Sequence, residues 1–340
     1  DNILDFIGKK NFRFADRDKY YKTVNIYKFS REFSATHYVP FLEAYCKALG
    51  NNEYYEQVLK VISILDRPLI KALRLEGEVW YEIDDEQDLD IAESLFAEGE
   101  EKLRKISSRY GGYWRYPHLK DFCYLVNPFY PGEKLIEELK ASFTELLVNY
   151  PSGMAVNSLV AAKYFGLKRE QVCVGNGAAE LIKLLTEMIP GRMGCVYPTF
   201  EEYPNRKKEE LEPFMAQAPD FSYTADGLME YFESRDISML VLVNPDNPSG
   251  NFISRDDVLR MAEWAGKKGI WLVADESFVD FADGDMEDNT LLHREILDAH
   301  PSLLVVKSIS KSYGVPGLRL GIIAGSDTDF IGKMKKQAAI

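Results

Sequence analysis

Residues 239–278 read MLVLVNPDNPSGNFISRDDVLRMAEWAGKKGIWLVADESF. Met239–Val243 is an unbroken apolar run, and a turn-forming segment with two Asn-Pro pairs follows it. Arg255–Gly266 then has helical spacing, and Ile270–Ala274 is a second apolar run. A strand apolar on every side must be covered on both faces. Strands of that kind joined through helices form a largely parallel sheet.

The same pattern extends in both directions. Short apolar runs stand at Val172–Val174, Gly194–Tyr197, Leu303–Val306 and Leu320–Ala324, with Ala179–Ile189 reading as one intervening helix. The expected fold is α/β, three layers with a mostly parallel sheet between helices. Upstream, Leu135–Leu147 places Leu135, Leu139, Phe143 and Leu146 on one helical face, and Tyr110–Pro131 reads as irregular.

Four segments at strand ends carry groups that packing alone does not need, and ligands of parallel α/β sheets sit at such ends. Val174–Glu180 (VGNGAAE) follows a strand and opens a helix. Gly177 permits a tight turn, and the amides of Ala178 and Ala179 then lie at a helix N-terminus, which favours an anion. Asn244–Gly250 (NPDNPSG) presents Asn247 as a donor; taken alone it is as readily a plain turn. Asp275, in Ala274–Phe278 (ADESF), ends a strand, where it is either a buried acid facing a protonated ring nitrogen or a helix cap. Ser308–Gly321 (SISKSYGVPGLRLG) offers Lys311 as an amine nucleophile, with Ser308, Ser310 and Arg319 to hold a phosphate. Read singly, Lys311 is more often a solvated surface lysine.

Together, in this order, the four segments resemble the class I/II (fold type I) aminotransferases, nearest the histidinol-phosphate aminotransferase and threonine-phosphate decarboxylase branch. The resemblance covers residues from about 110 to the end and implies pyridoxal 5′-phosphate (PLP) attached to Lys311. It further implies that Phe200, in YPTFEEY, stacks on the ring. Tyr150, in NYPSG, would reach the cofactor phosphate of a second copy in a homodimer, and Asn127, in NPFYP, would help seat substrate. Two departures stand out. Phe278 occupies a place where many relatives have tyrosine, as in the decarboxylase-like branch. The chain also stops soon after Arg319, before the small domain that grips the substrate carboxylate.

Residues 1–98 read differently. Thr23–Phe29 and Leu73–Ile83 look like strands, Val39–Leu49 and Glu53–Leu65 like helices, and Leu89–Ser107 like one long charged helix. The segment Trp80–Asp90 (WYEIDDEQDLD) resembles the close of a nucleotidyltransferase domain of the sugar-phosphate and phosphocholine type. That likeness implies a nucleoside triphosphate substrate and Mg²⁺ held by Asp84, with Asp85 and Glu82 near. A plain helix-capping cluster is the alternative. Tyr54, Tyr55 and Glu56 could line a pocket for a small cationic alcohol or amine, or simply pack. The Gly-rich nucleotide loop would lie upstream of Asp1, so the expected organisation is a partial nucleotidyltransferase domain, 1–98, and a truncated PLP-binding domain, 99–340.

Composition narrows the partners. A net charge of −13 argues against nucleic acid and anionic membranes. No apolar run approaches the roughly 20 residues that span a bilayer. Cys46, Cys123, Cys173 and Cys195 form no CxxC pair, which suits a reduced, cytoplasmic protein. His37, His118, His293 and His300 are dispersed and read as structural or surface residues. The first-choice function is transamination between a small amino donor and a keto acceptor within a bifunctional enzyme. Decarboxylation of a phosphorylated amino acid is the second, and a non-catalytic PLP-binding module the third.

Overall fold

In the computed structural model the apolar runs pair into one seven-stranded sheet of order β1-β7-β6-β5-β4-β2-β3. The strands are β1 Val172–Asn176, β2 Met193–Tyr197, β3 Leu211–Met215, β4 Met239–Val243, β5 Trp271–Asp275, β6 Leu303–Ser308 and β7 Leu320–Gly325. β7 runs antiparallel to both of its neighbours, β1 and β6, and the other pairings are parallel. The structure describes residues 2–8, 11–65, 70–109, 111–113, 116 and 119–339. His118 lies outside them.

Alternate strand residues point into two separate cores. Leu240, Leu242, Leu272, Ala274, Leu303 and Val305 face helices Ala225–Phe232 and Arg255–Lys268 through Leu228, Met261 and Ala265. Met239, Val241, Val273, Leu304 and Val306 face helices Ala178–Met188 and Thr328–Gln337 through Leu181, Leu185 and Ile331. Each fully buried leucine or isoleucine contributes about 1.5–3 kcal/mol, so the two cores hold the three layers together.

The sequence reading missed β3, whose Glu212 and Pro213 interrupt the apolar pattern. Proline is tolerated there because β3 is an edge strand that pairs only with β2.

The chain separates into two compact units, residues 1–121 and 122–340, so the expected division at 98/99 falls inside the first unit. In that unit, helix Val39–Leu49 forms as read, and the helix expected over Glu53–Leu65 begins three residues later, at Glu56. The two expected strands do not: among the described residues 1–121 the backbone pairing is a single isolated bridge, Asn2 to Lys71. Asn25 adopts a left-handed backbone (φ 59°) in the middle of Thr23–Phe29, which breaks the two-residue alternation. The long helix is likewise two, Glu86–Phe96 and Gly99–Ser107. Ala97 and Glu98 are extended and Gly99 has a positive φ, and the halves are tied by Lys105–Glu93 and Arg109–Asp90 ion pairs.

Candidate functional site

Register brings the four segments to one edge of the sheet. Val243 pairs with Asp275, and Asp275 with Val306, so the turn after β4, the end of β5 and the end of β6 are neighbours. Because β7 is reversed, its first residues join that edge: Ser308 pairs with Gly321 and Asn176 with Leu320. Lys311 sits in the short helical turn Ile309–Ser312 that follows β6.

The anion cradle is built by close backbone approach. Gly177 has φ 78°, and a Cβ there would stand 2.8 Å from a terminal nitrogen of Arg319. A Cβ on Gly321 would stand 2.5 Å from the amide nitrogen of Ala178. The guanidinium of Arg319 therefore lies over the turn whose Ala178 and Ala179 begin helix Ala178–Met188, joining a fixed cation to a helix N-terminus. Gly321→Ala is expected to push β7 from this turn, costing roughly 1–3 kcal/mol and weakening anion binding, measurable by thermal melting and phosphate titration.

Asp275 is 2% exposed. Its carboxylate accepts hydrogen bonds from Tyr203 Oη at 2.8 Å, Ser277 N at 2.9 Å and Ser277 Oγ at 2.5 Å. Burial pushes its carboxyl above the ordinary range, while these donors and the Lys307 ammonium pull the other way. Lys311 is partly buried, and desolvation, then the nearby Arg319 charge, hold its amine below the usual lysine range. Its Nζ lies 6.0 Å from the ring centre of Phe278.

The remaining predicted residues are placed as follows. Asn247 is partly buried in the turn after β4, which an Asn244–Ile253 clasp fastens through two 2.8 Å bonds. Phe200 is half-exposed and meets Tyr203 edge-on. Ser308 is buried and its amide donates to Ser277 Oγ at 3.0 Å. Ser310 is buried too, and its hydroxyl exchanges 3.4 Å contacts with the backbone of Leu320. Tyr150 is fully exposed.

Asn127 braces the Lys311 turn. Its backbone amide donates to Lys311 O at 2.9 Å and its side chain donates to Ser312 O at 3.0 Å.

Tyr203, Ser277 and Asp246 were not singled out from sequence. Asp246 is buried, accepts from Thr199 Oγ1 at 3.2 Å and Ser249 Oγ at 2.5 Å, and so joins the Phe200 loop to the Asn247 loop. Its position between the two Asn-Pro pairs was the available signal.

In the first unit, Asp84 is exposed, Asp85 caps a helix by accepting from Asp88 N at 2.9 Å, and Asp88 accepts from Asp84 N and Tyr81 Oη. These contacts are those of a helix cap. Among the described residues no three His, Cys, Asp or Glu side chains are grouped to hold a metal. Tyr54 is exposed, whereas Tyr55 packs edge-on against Tyr27, whose hydroxyl lies 3.4 Å from Glu56 Oε1. Glu56 Oε2 is buried without a hydrogen-bond partner.

The second unit thus gathers a desolvated amine, a buried acid and an anion cradle at one sheet edge. That donor set fits PLP, which carries an aldehyde, a basic ring nitrogen and a phosphate.

Comparison with known proteins agrees. The CMP-5′-(3-aminopropyl)phosphonate synthase of Streptomyces rubellomurinus is 32% identical over 320 residues, 94% of this chain and 50% of that protein. The L-serine phosphate decarboxylase of Sulfurospirillum multivorans is 30% identical over 214 residues, 59% of this chain and 53% of the relative. A solved decarboxylase structure from Sulfurospirillum multivorans superposes with a TM-score of 0.57 at 26% identity, covering 67% of this chain and 61% of that one. The chain spans about half the length of the curated relatives it matches. Among the described residues no helix is long and apolar enough to cross a membrane. Residues 144–340 match the family described as aminotransferase class I and II, and the chain belongs to that family.

Proposed function

We propose that the second unit uses PLP to remove the α-carboxylate of an amino acid bearing a phosphoryl or phosphonyl group. The observation that carries this choice is Phe278, whose hydroxyl-free ring faces Lys311 Nζ at 6.0 Å, where many aminotransferases have tyrosine. The relatives support the same order. One decarboxylates a phosphorylated serine, and another is named for a product whose amine sits on an unsubstituted carbon, as loss of an α-carboxylate leaves it. This ranking reverses the expectation from sequence, which put transamination first. Transamination stays as the second reading because the family is that of the aminotransferases.

When bound, PLP supplies an electron-withdrawing ring that accepts the electron pair left at the α-carbon. In this reading Arg319, Ser308, Ser310 and the amides of Gly177, Ala178 and Ala179 hold its phosphate. Asp275, held in place by hydrogen bonds from Tyr203 and Ser277, pairs with a protonated ring nitrogen. Asn247 donates to the ring hydroxyl and Phe200 covers one ring face. Tyr150 would complete the phosphate site of a second copy in a homodimer, and Asn127, held against the Lys311 turn, borders the substrate. Lys311, its amine depressed by desolvation and by Arg319, returns a proton to the α-carbon. The balance is an amino acid plus one proton giving a primary amine and carbon dioxide.

The first unit would belong to a cytidylyl-transferring part of a longer bifunctional protein, which draws on a nucleoside triphosphate. The CMP-linked phosphonate synthase, aligned over 94% of this chain, supports that reading. Tyr27, Tyr55 and the unpartnered oxygen of Glu56 would face the amine of its headgroup.

The test is product analysis. The chain, supplied with PLP, is given O-phosphoserine or 2-amino-4-phosphonobutyrate carrying ¹³C in the carboxyl. Release of labelled carbon dioxide with one equivalent of amine is the expected result. A 2-oxo acid formed only with a keto acceptor would instead establish transamination.

A further inference from the structure

Behind the Lys311 turn lies a polar cluster that the proposed chemistry does not use. Asp280 follows the Asp275–Phe278 segment in the short turn Val279–Phe281. Both of its oxygens lie near Lys307 Nζ, at 2.9 and 2.8 Å. The Lys307 side chain is only 5% exposed and that of Asp280 14%. The second oxygen of Asp280 also accepts from the hydroxyl of Ser312, the residue after Lys311.

A buried ion pair is poor value for stability alone, since removing two charges from water offsets most of their attraction. What this one achieves is placement. Lys307 is on β6 and fixed by the sheet, so Asp280 is held at a set position. Asp280 in turn fixes the Ser312 hydroxyl, and with it the backbone one residue from Lys311. Asn127 grips the same turn through its side-chain amide, which donates to Ser312 O at 3.0 Å. The turn is thereby pinned through one side chain, that of Ser312, and two carbonyls, those of Lys311 and Ser312.

We propose that Asp280, acting through Ser312, is the positioning residue that aims Lys311 at its reaction partner. This rests on the reading of Lys311 as the PLP-binding lysine. Ser312 supplies the hydroxyl link and Lys307 holds Asp280 in place. Arg319, Asp275 and Cys123 are the charged or titratable groups that act on Lys311. A turn released from Asp280 would let water reach the amine and let its direction wander, while the core beneath stays intact.

The test uses the whole chain and three variants, Ser312→Ala, Ser312→Thr and Asp280→Asn, with Lys311→Ala as the control. Each is titrated with PLP, and the rate of appearance of the Lys311-dependent visible band is followed between pH 6 and pH 10. Thermal melting of the PLP-free proteins is recorded in parallel. Loss of one hydrogen bond to a charged group predicts that Ser312→Ala captures PLP roughly ten-fold more slowly. Its pH midpoint for capture should also move upward, toward that of an ordinary lysine, and Ser312→Thr should restore both. Asp280→Asn should show the same change with a lower melting temperature, because Lys307 is left without its partner. Unchanged capture and pH midpoint in Ser312→Ala and Asp280→Asn, against a wild-type band absent in Lys311→Ala, would overturn the inference and leave the PLP reading standing. A melting shift without a change in the pH profile would reduce Asp280 to a structural residue and overturn it equally. No Lys311-dependent band in the wild type would overturn the PLP reading itself.

Discussion

Lys311→Ala is expected to abolish the visible band of the PLP-loaded protein and to lower turnover on the order of 10³-fold or more. The effect is large because the variant removes the amine that would carry the cofactor. Lys311 stands on a turn that follows β6 and is braced by Asn127, with Arg319 and then Asp275 as the charges that act on it most. Lys335 also has an amine held low by burial, but it stands on helix Thr328–Gln337 and donates to Arg169 O, away from the Lys311 turn. Absorption spectroscopy and product formation measured on the same samples check the two parts. Thermal melting should be little changed, since the side chain is partly solvated and contributes modestly to the core.

Asp275→Asn is expected to cost roughly 10²–10⁴-fold in rate, the range seen when a positioned acid–base or electrostatic partner is removed. An amide cannot keep a ring nitrogen protonated by charge. The stability of the PLP-free protein should move the opposite way with pH. Burial raises the Asp275 carboxyl, so the folded state binds its proton more tightly than the unfolded chain does. That favours folding below the unfolded pKa of about 3.9 and is lost as pH rises through the raised value. Asparagine carries no such dependence. The variant should therefore match the wild type at the acid end and gain on it toward neutral pH, as followed by denaturant titration without cofactor. A variant that loses stability as well as rate at neutral pH would show that the three hydrogen bonds to the carboxylate outweigh its burial.

Much of the second unit was legible in the sequence because apolar runs must pair. Met239–Val243 is a strand as read, and the other five runs differ from the observed strands by one to two residues at an end. The reversal of β7 left no trace, since Leu320–Ala324 is equally apolar in either direction. In the first unit the same reasoning overreached. TVNIYKF has the composition of a strand, yet a strand exists only with a partner, and none pairs with it among the described residues. For the site, Gly177 and Asp275 were legible locally, as a glycine that must turn and a charge at the end of an apolar run, whereas Lys311 and Arg319 stood out only when the four segments were read together. Tyr203 and Asp280 were not, because their roles depend on partners 72 and 32 residues away in sequence. Tyrosine after Phe200 and aspartate after Phe278 are locally unremarkable, and only tertiary placement gives them work to do.

The position of β1 at the margin of the sheet makes the cofactor site a fastener as well as a reaction centre. β1 is hydrogen-bonded along one side only, to β7, so it is the strand with most freedom to fray at this end. Gly177 follows β1 and Arg319 precedes β7, and an anion gripped by both would clasp the marginal strand to its neighbour. Occupancy of the cradle should then slow hydrogen exchange in Val172–Asn176 far more than in β4 or β5. A protein of this design would resist unfolding from its β1 edge in proportion to the phosphate bound there.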